Sequence, residues 1–239
     1  MYRNKRIILI TPVFNENERI GKVVEKAKES LFIDEICVVN DGSTDGSDGV
    51  AKNLGATVLS HPMRKGIGAA IRTGIEYALA NNFDIIVICA GNDKDNPKEV
   101  DRLLKPITEE GYDYIQGSRY LEGGKWGNMP LHRIIGCPLF ALFYSILMGK
   151  IFTDVTNGFR AYTVQFIKDK RLDISQEWLN GYNLEYYLQY KAITLGYKIK
   201  EVPVSKIYPN KKVTKINNPL LSLWIVLKPL ILLKLGLRK

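Results

Sequence analysis

The sequence predicts an α/β protein, a mostly parallel sheet flanked by helices, and three observations carry that reading. Short apolar runs rich in β-branched residues recur along the first half of the 239-residue chain. Helix-like stretches separate them, and Asn, Asp, Gly and Ser gather just after each run. The predicted strands are Arg6–Val13, Glu35–Asn40, Ala56–Ser60, Asp84–Cys89 and Asp113–Gln116. Between them, Glu18–Lys28, Ser47–Leu54, Gly66–Ala80 and Pro97–Thr108 read as helices, the last with Asn96 as N-cap and Pro97 at its first position. Leu131–Met148, uncharged and aromatic apart from its first turn, reads as a buried helix, with a lipid-facing surface as the second reading. Asn183–Leu195 is a further helix and Lys198–Val204 a further strand. In such sheets ligands sit at the carboxyl ends of the strands, so the polar residues there are the candidates for function.

Composition narrows the classes. With 46% apolar and 25% charged residues the chain can bury a sizeable core. Cys37, Cys89 and Cys137 lie far apart without a CxxC pair, and the chain has only 2 histidines, which argues against a disulfide framework and a Cys/His zinc site. The first residues run into a strand without the pattern of a secretion signal, so the bulk of the protein is expected in the cytoplasm.

Charge is concentrated at one end. Lys198, Lys200, Lys206, Lys211, Lys212, Lys215, Lys228, Lys234, Arg238 and Lys239 face the single acid Glu201, so this tail carries the whole formal charge of +9 and the rest of the chain is balanced. A balanced body is not the footprint of a nucleic-acid-binding domain. The tail is also apolar from Pro219 to Leu237. As a helix Leu220 to Leu237 would measure about 27 Å against a hydrocarbon core of about 30 Å, with Lys228-Pro229 in its middle. A kinked segment lying in the interface of an anionic membrane, with Trp224 near the headgroups, is the reading preferred; docking on the chain's own core or on a second copy in a homo-oligomer is the alternative.

The strand ends hold the chemistry. Strand one ends in Thr11-Pro12-Val13-Phe14-Asn15-Glu16, with no glycine-rich dinucleotide turn; Pro12 stiffens it, Phe14 offers a flat ring, and Asn15 and Glu16 suit ribose hydroxyls or, equally, the cap and first turn of the next helix. Strand two ends in Asn40-Asp41-Gly42-Ser43-Thr44-Asp45, where Asp41 and Ser43 can face a base or ribose. Arg64-Lys65-Gly66-Ile67-Gly68 enters a helix as two cations before a small-residue start, an arrangement suited to an anion.

These three segments, in this order, resemble the nucleotide-sugar half of the family-2 glycosyltransferases, within them the dolichyl-phosphate mannose or glucose synthase branch. Gly117-Ser118-Arg119-Tyr120, Gly123-Gly124, Trp126, Arg133, the stretch from Thr153 to Tyr162 and Glu201-Val202-Pro203-Val204 fit the same branch. The resemblance implies a GT-A (Rossmann-like) fold over 1–205, with a nucleotide-sugar half at about 1–100 and an acceptor half at about 101–205, followed by the basic, apolar tail 206–239. It implies an inverting transferase, peripheral on the cytoplasmic face of the membrane, that moves a sugar from a nucleotide-sugar donor to a polyprenyl phosphate. Pro12, Phe14, Asn15, Glu16, Asp41, Ser43, Lys65 and Gly66 then hold the nucleotide, and Arg119, Arg133, Lys211 and Lys215 the acceptor phosphate.

One departure from the family bears on the reaction. The family's Asp-x-Asp, which holds Mg2+ or Mn2+ against the donor diphosphate, falls on Ala90 and Asn92 when aligned on Pro97; the Asp93-Lys94-Asp95 that is present is shifted along the loop. Either Asn92 with Asp93 or Asp95 ligates the ion, or Lys94 brings a fixed positive charge to the diphosphate. A phosphate acceptor, with a second pKa of about 6, requires no base. Two other readings stay open: extension of a lipid-linked saccharide through a hydroxyl, with Asp154 as base, and a non-catalytic nucleotide-sugar-binding protein.

Overall fold

The computed structural model describes residues 1–209 and 219–238; Lys211 and Lys215 lie outside them. The chain runs β1 (Ile7–Val13), α1 (Asn17–Lys28), β2 (Glu35–Asn40), α2 (Ser47–Asn53), β3 (Thr57–Ser60), α3 (Ile67–Ala80) and β4 (Ile85–Ile88). A single 3-10 turn, Pro97–Glu99, leads into α4 (Val100–Glu110), and the Asn96 side chain accepts the Lys98 N–H as the expected cap. Then follow β5 (Tyr114–Ser118), β6 (Lys125–Gly127), α5 (Leu131–Met148), β7 (Arg160–Thr163), α6 (Val164–Ile167), α7 (Asn183–Thr194), β8 (Ile199–Pro203), β9 (Ser205–Ile207) and α8 (Pro219–Lys234).

Among the described residues these strands form a seven-stranded sheet in the order β3-β2-β1-β4-β7-β5-β8 and a two-stranded β6-β9 sheet. All pairs of the large sheet are parallel except those of β7, which runs antiparallel between β4 and β5. Strand β7 was not foreseen. The chain winds from β1 outward to β3 and then returns to β4 on the other side of β1, so the strand order reverses between β1 and β4. A crevice opens at the carboxyl ends of two strands at such a reversal.

The uninterrupted apolar run of β1 is explained by burial on both faces. Ile8 and Ile10 pack with α3, α5 and α7, whereas Ile7 and Leu9 pack with α1 and α4. All four are fully buried, each contributing about 1.5–3 kcal/mol. Helix α5 departs from the buried-helix expectation. Cys137, Phe140, Ala141 and Tyr144 enter the core, with Phe140 against Tyr186 and Tyr144 against Phe152. Leu131, Ile135, Leu139, Leu142, Phe143 and Ile146 are exposed. By length and composition α5 could cross a membrane, but its inner face is part of the domain core. Helix α8 runs through Pro229; Leu230 and Leu233 join the core beside α7, and Trp224 is exposed.

The start of α3 is fitted against the segment before α7. A Cβ on Gly68 would stand 1.9 Å from the Leu179 carbonyl oxygen and 2.4 Å from that of Gly181. The Ala69 N–H donates to the Asn180 carbonyl across this contact at 3.1 Å. Gly68→Ala is therefore expected to displace the 179–182 segment and lower stability by about 1–3 kcal/mol, read as a drop in the urea midpoint.

Candidate functional site

The loops after β1 and β2 are knitted together before they meet any ligand. The Asn15 N–H donates to Ser43 Oγ (3.0 Å), the Thr44 N–H to Asn15 Oδ1 (3.0 Å) and the Glu16 N–H to Ser47 Oγ (2.9 Å). Asn15 holds φ at 52°, a left-handed conformation that Asn tolerates. Ser43 and Asn15 thus join the two loops, a role different from the ribose contacts expected of them.

Asp41 ties β2 to α3. Its Oδ1 accepts the Lys65 N–H and faces His61 Nδ1, both at 2.8 Å, and its Oδ2 accepts the Gly66 N–H at 2.8 Å. His61 Nε2 in turn lies 3.0 Å from Thr73 Oγ1 on α3. The anion expected at the cationic start of α3 is therefore the chain's own carboxylate, held where two amides and the helix dipole favour negative charge. Gly42 makes this approach feasible: a Cβ there would stand 2.6 Å from Arg64 N, and its φ is +72°. The Lys65 side chain is exposed.

An open cleft of about 520 Å³, part of it continuous with open solvent, lies where the strand order reverses. Pro12, Val13, Phe14 and Glu16 line it from the end of β1, Asp41 from the end of β2, and Ala90, Gly91 and Asn92 from the end of β4. Ile67 and Ala70 of α3, Arg64 and Tyr182 complete its lining. The Arg64 guanidinium stacks on the Phe14 ring, 4.3 Å from its centroid. Of the expected nucleotide residues, Pro12, Phe14, Glu16 and Asp41 line the cleft; Asn15, Ser43, Lys65 and Gly66 do not. Arg64 and Tyr182 were missed as lining residues. Arg64 was adjacent to the cation chosen, whereas Tyr182 reaches the cleft through the α3 contact, which no local pattern announces.

The acceptor-side expectations are redrawn. Arg119 is buried against Asp154, with Nε 2.6 Å from Oδ2 and Nη2 3.2 Å from Oδ1, and a further contact to Thr156 Oγ1. Asp154 is fully buried and also accepts the Arg119 and Thr156 N–H groups. Glu201 fixes the same loop by accepting the N–H groups of Thr153 (2.7 Å) and Asp154 (2.8 Å). The structure thus makes Asp154 an organiser of this loop, with both oxygens committed, and aims Arg119 inward at it. To act as a base for a hydroxyl acceptor Asp154 would have to leave these bonds, and to receive a phosphate Arg119 would have to leave Asp154.

The loop after β4 divides its polar groups. Asn92 faces the cleft and its Oδ1 accepts the Lys94 N–H at 3.3 Å. Asp93 turns to Lys26 of α1, 2.5 Å away, and Asp95 is buried in a 2.5 Å pair with Lys206 of β9. Lys94 is buried, its ammonium 4.4 Å from the centroid of the Tyr208 ring. Burial, then the neighbouring Lys206 and Arg133, pushes its pKa down to about 7. Among the described residues no three His, Cys, Asp or Glu side chains converge on a metal position. The expected set of Asn92, Asp93 and Asp95 is therefore dispersed.

Comparison with known proteins gives the same family on several grounds. The family model described as glycosyl transferase family 2 matches residues 8–171. The polyprenol monophosphomannose synthase of Mycolicibacterium smegmatis is 29% identical over 84% of this chain and 77% of its own length. The UDP-N-acetylglucosamine–dolichyl-phosphate N-acetylglucosaminyltransferase of Methanococcus voltae is 26% identical over 98% of each chain. Among solved structures, the glucosyl-3-phosphoglycerate synthase of Mycobacterium tuberculosis, in complex with Mn2+, UDP and glucosyl-3-phosphoglycerate, superposes with a TM-score of 0.69 at 22% identity, over 95% of this chain and 79% of that one. That likeness establishes the shared fold.

The Arg119–Asp154 pair carries a stability test. Arg119→Met leaves a buried carboxylate uncompensated and is expected to cost about 3–5 kcal/mol, measured from the denaturant midpoint.

Proposed function

The chain belongs to glycosyl transferase family 2, and from that premise we propose that it transfers a sugar, with inversion at C1, from a nucleotide-sugar donor to a polyprenyl phosphate at the cytoplasmic surface of a membrane. The observation that carries the proposal is a cleft at the strand reversal lined by Phe14, Arg64, Glu16 and Asp41, in a chain whose helix α5 also bears an apolar outer face. Phe14 and Arg64 offer a stacked aromatic and cation for the donor, and Glu16, Asp41 and Tyr182 line the same cleft. Arg133, in the first turn of α5, acts electrostatically on both Tyr182 and Lys94. Among the described residues it is the expected acceptor-side cation with electrostatic links to the cleft, and its guanidinium suits phosphate oxygens.

The acceptor chemistry follows from charge. A phosphate monoester is largely a dianion near neutral pH, with a second pKa of about 6, so its oxygen attacks C1 without surrendering a proton. The C1–oxygen bond to the nucleoside diphosphate breaks and its electron pair leaves with the diphosphate. This route suits a site in which Asp154 is fully engaged, and it disfavours a hydroxyl acceptor, which requires a base. Relatives named as polyprenol monophosphomannose synthase and undecaprenyl-phosphate mannosyltransferase support the same acceptor class.

Attachment to lipid is supported by α5. Leu131, Ile135, Leu139, Leu142 and Ile146 recur at helical spacing on one exposed row. Lys234 of α8 reaches the Leu147 carbonyl at 3.4 Å, which sets the basic C-terminal helix beside the end of that row. Apolar area plus positive charge favours an anionic surface such as the cytoplasmic leaflet.

Two measurements test this reading. UDP- and GDP-sugars offered with polyprenyl phosphate in vesicles are expected to give a glycolipid; product formed solely from lipid-linked saccharides would overturn the acceptor assignment. Leu139→Glu with Leu142→Glu is expected to lower co-sedimentation with anionic vesicles by about tenfold or more, without loss of nucleotide binding.

A further inference from the structure

The family's divalent cation is held by carboxylates that face the donor diphosphate, and the residues of this chain do not fit that group. At the end of β4 the cleft is lined by Ala90, Gly91 and Asn92, which together offer one amide oxygen and no carboxylate. A hard dication with few protein ligands relies on carboxylate oxygens. The two carboxylates of the loop are committed to ammonium groups instead, Asp93 to Lys26 and Asp95 to Lys206. The Asp95 side chain is wholly buried in its pair. Turning either toward the cleft would strand a lysine, and for Asp95 that lysine is itself buried.

We propose that the ammonium of Lys94 is the positive charge that meets the leaving diphosphate, in place of a divalent ion held by the 90–97 loop. The proposal rests on the nucleotide-sugar reading of the cleft and assigns the charge that this reaction demands. Lys94 follows Asn92, a lining residue, by two positions, and its electrostatic partners include Glu16, another lining residue. Its backbone is anchored: the Lys94 carbonyl accepts the Ile207 N–H at 2.8 Å, and Asp95 bridges to Lys206 in antiparallel fashion. The buried Tyr208 ring supports its ammonium from one face. A cation fixed in this way stabilises charge that develops on the leaving oxygen without reorganising.

Burial, then Lys206 and Arg133, act against the charge on Lys94, so an anion brought beside its ammonium is favoured. In the transfer step the C1–oxygen bond breaks, its electron pair passes to the diphosphate, and the acceptor phosphate oxygen bonds to C1; Lys94 gives up no proton in the step. Its contribution is charge and hydrogen bonding, not proton transfer.

The test is calorimetric titration of the full chain with UDP and GDP, in EDTA and in Mn2+ or Mg2+, alongside the glycolipid assay under the same conditions. Binding and turnover are expected to change less than about twofold with chelator, whereas Lys94→Met weakens nucleoside diphosphate binding by about tenfold or more and Lys94→Arg restores most of it. Denaturant midpoints of both variants establish that they are folded. Binding or turnover that collapses in EDTA and returns with Mn2+ would overturn the proposal, as would a folded Lys94→Met that binds like the parent chain. Failure of either nucleotide to bind under any condition removes the nucleotide-sugar reading itself, an outcome distinct from chelator-sensitive binding.

Discussion

The carboxylate of Asp41 accepts two amides from the start of α3 and contacts His61, which itself reaches back to Thr73 on the same helix. Through these bonds the end of β2 and the entry to α3 move as one piece. The cleft depends on that junction, since Asp41 and, from α3, Ile67 and Ala70 all line it. The dipole of α3 is satisfied internally as well, which leaves the ring–guanidinium pair of Phe14 and Arg64, and not a helix N-terminus, as the feature presented to a ligand on this side. A site that looks in sequence like an anion cradle is in structure a rigid hinge with its anion already seated.

The parts of the fold that sequence made legible are those decided by local pattern. β1, β2 and β4 read as strands because burial on both sheet faces leaves no polar alternation to confuse the signal. β7 escaped because its first residue is Arg160, which reads as surface. In the structure that guanidinium is buried, donating to the Tyr114 hydroxyl and to the carbonyls of Asn157, Val155 and Glu185. The Asn157 and Val155 carbonyls are local, but Tyr114 and Glu185 come from elements far along the chain, which no local pattern signals. The same distinction divides the site. Pro12, Phe14, Glu16 and Asp41 follow directly from strand ends, whereas Tyr182 is brought in by the glycine contact between α3 and the 179–182 segment. The direction of a side chain was the least legible property: Arg64 and Lys65 are neighbours of like charge, and the backbone turn alone decides which one covers Phe14.

Buried ion pairs tie together strands and loops between residues 95 and 206. Arg119–Asp154 and Lys206–Asp95 each remove a full charge pair from water, an arrangement that gives little net stability over an apolar pair of the same shape but is costly to break singly. Their value here is positional. Glu201 of β8 holds the 153–154 backbone, Asp154 holds Arg119, and Lys206 of β9 holds both Asp95 and the Asn157 side chain. The segments around Asp95, Arg119 and Asp154 to Asn157 are thereby tied to one another and to β8 and β9.

The exposed aliphatic row of α5 has a kinetic corollary. A catalyst resting on lipid encounters a prenyl-anchored acceptor by lateral diffusion in two dimensions. Its velocity would then follow the mole fraction of that acceptor within the sheet of lipid rather than its amount per volume, and dilution of the bilayer with inert phospholipid would slow each bound molecule even at constant total acceptor. The soluble donor would obey ordinary bulk saturation. One helix with two unlike faces would thus place the two substrates of a single reaction under different concentration laws.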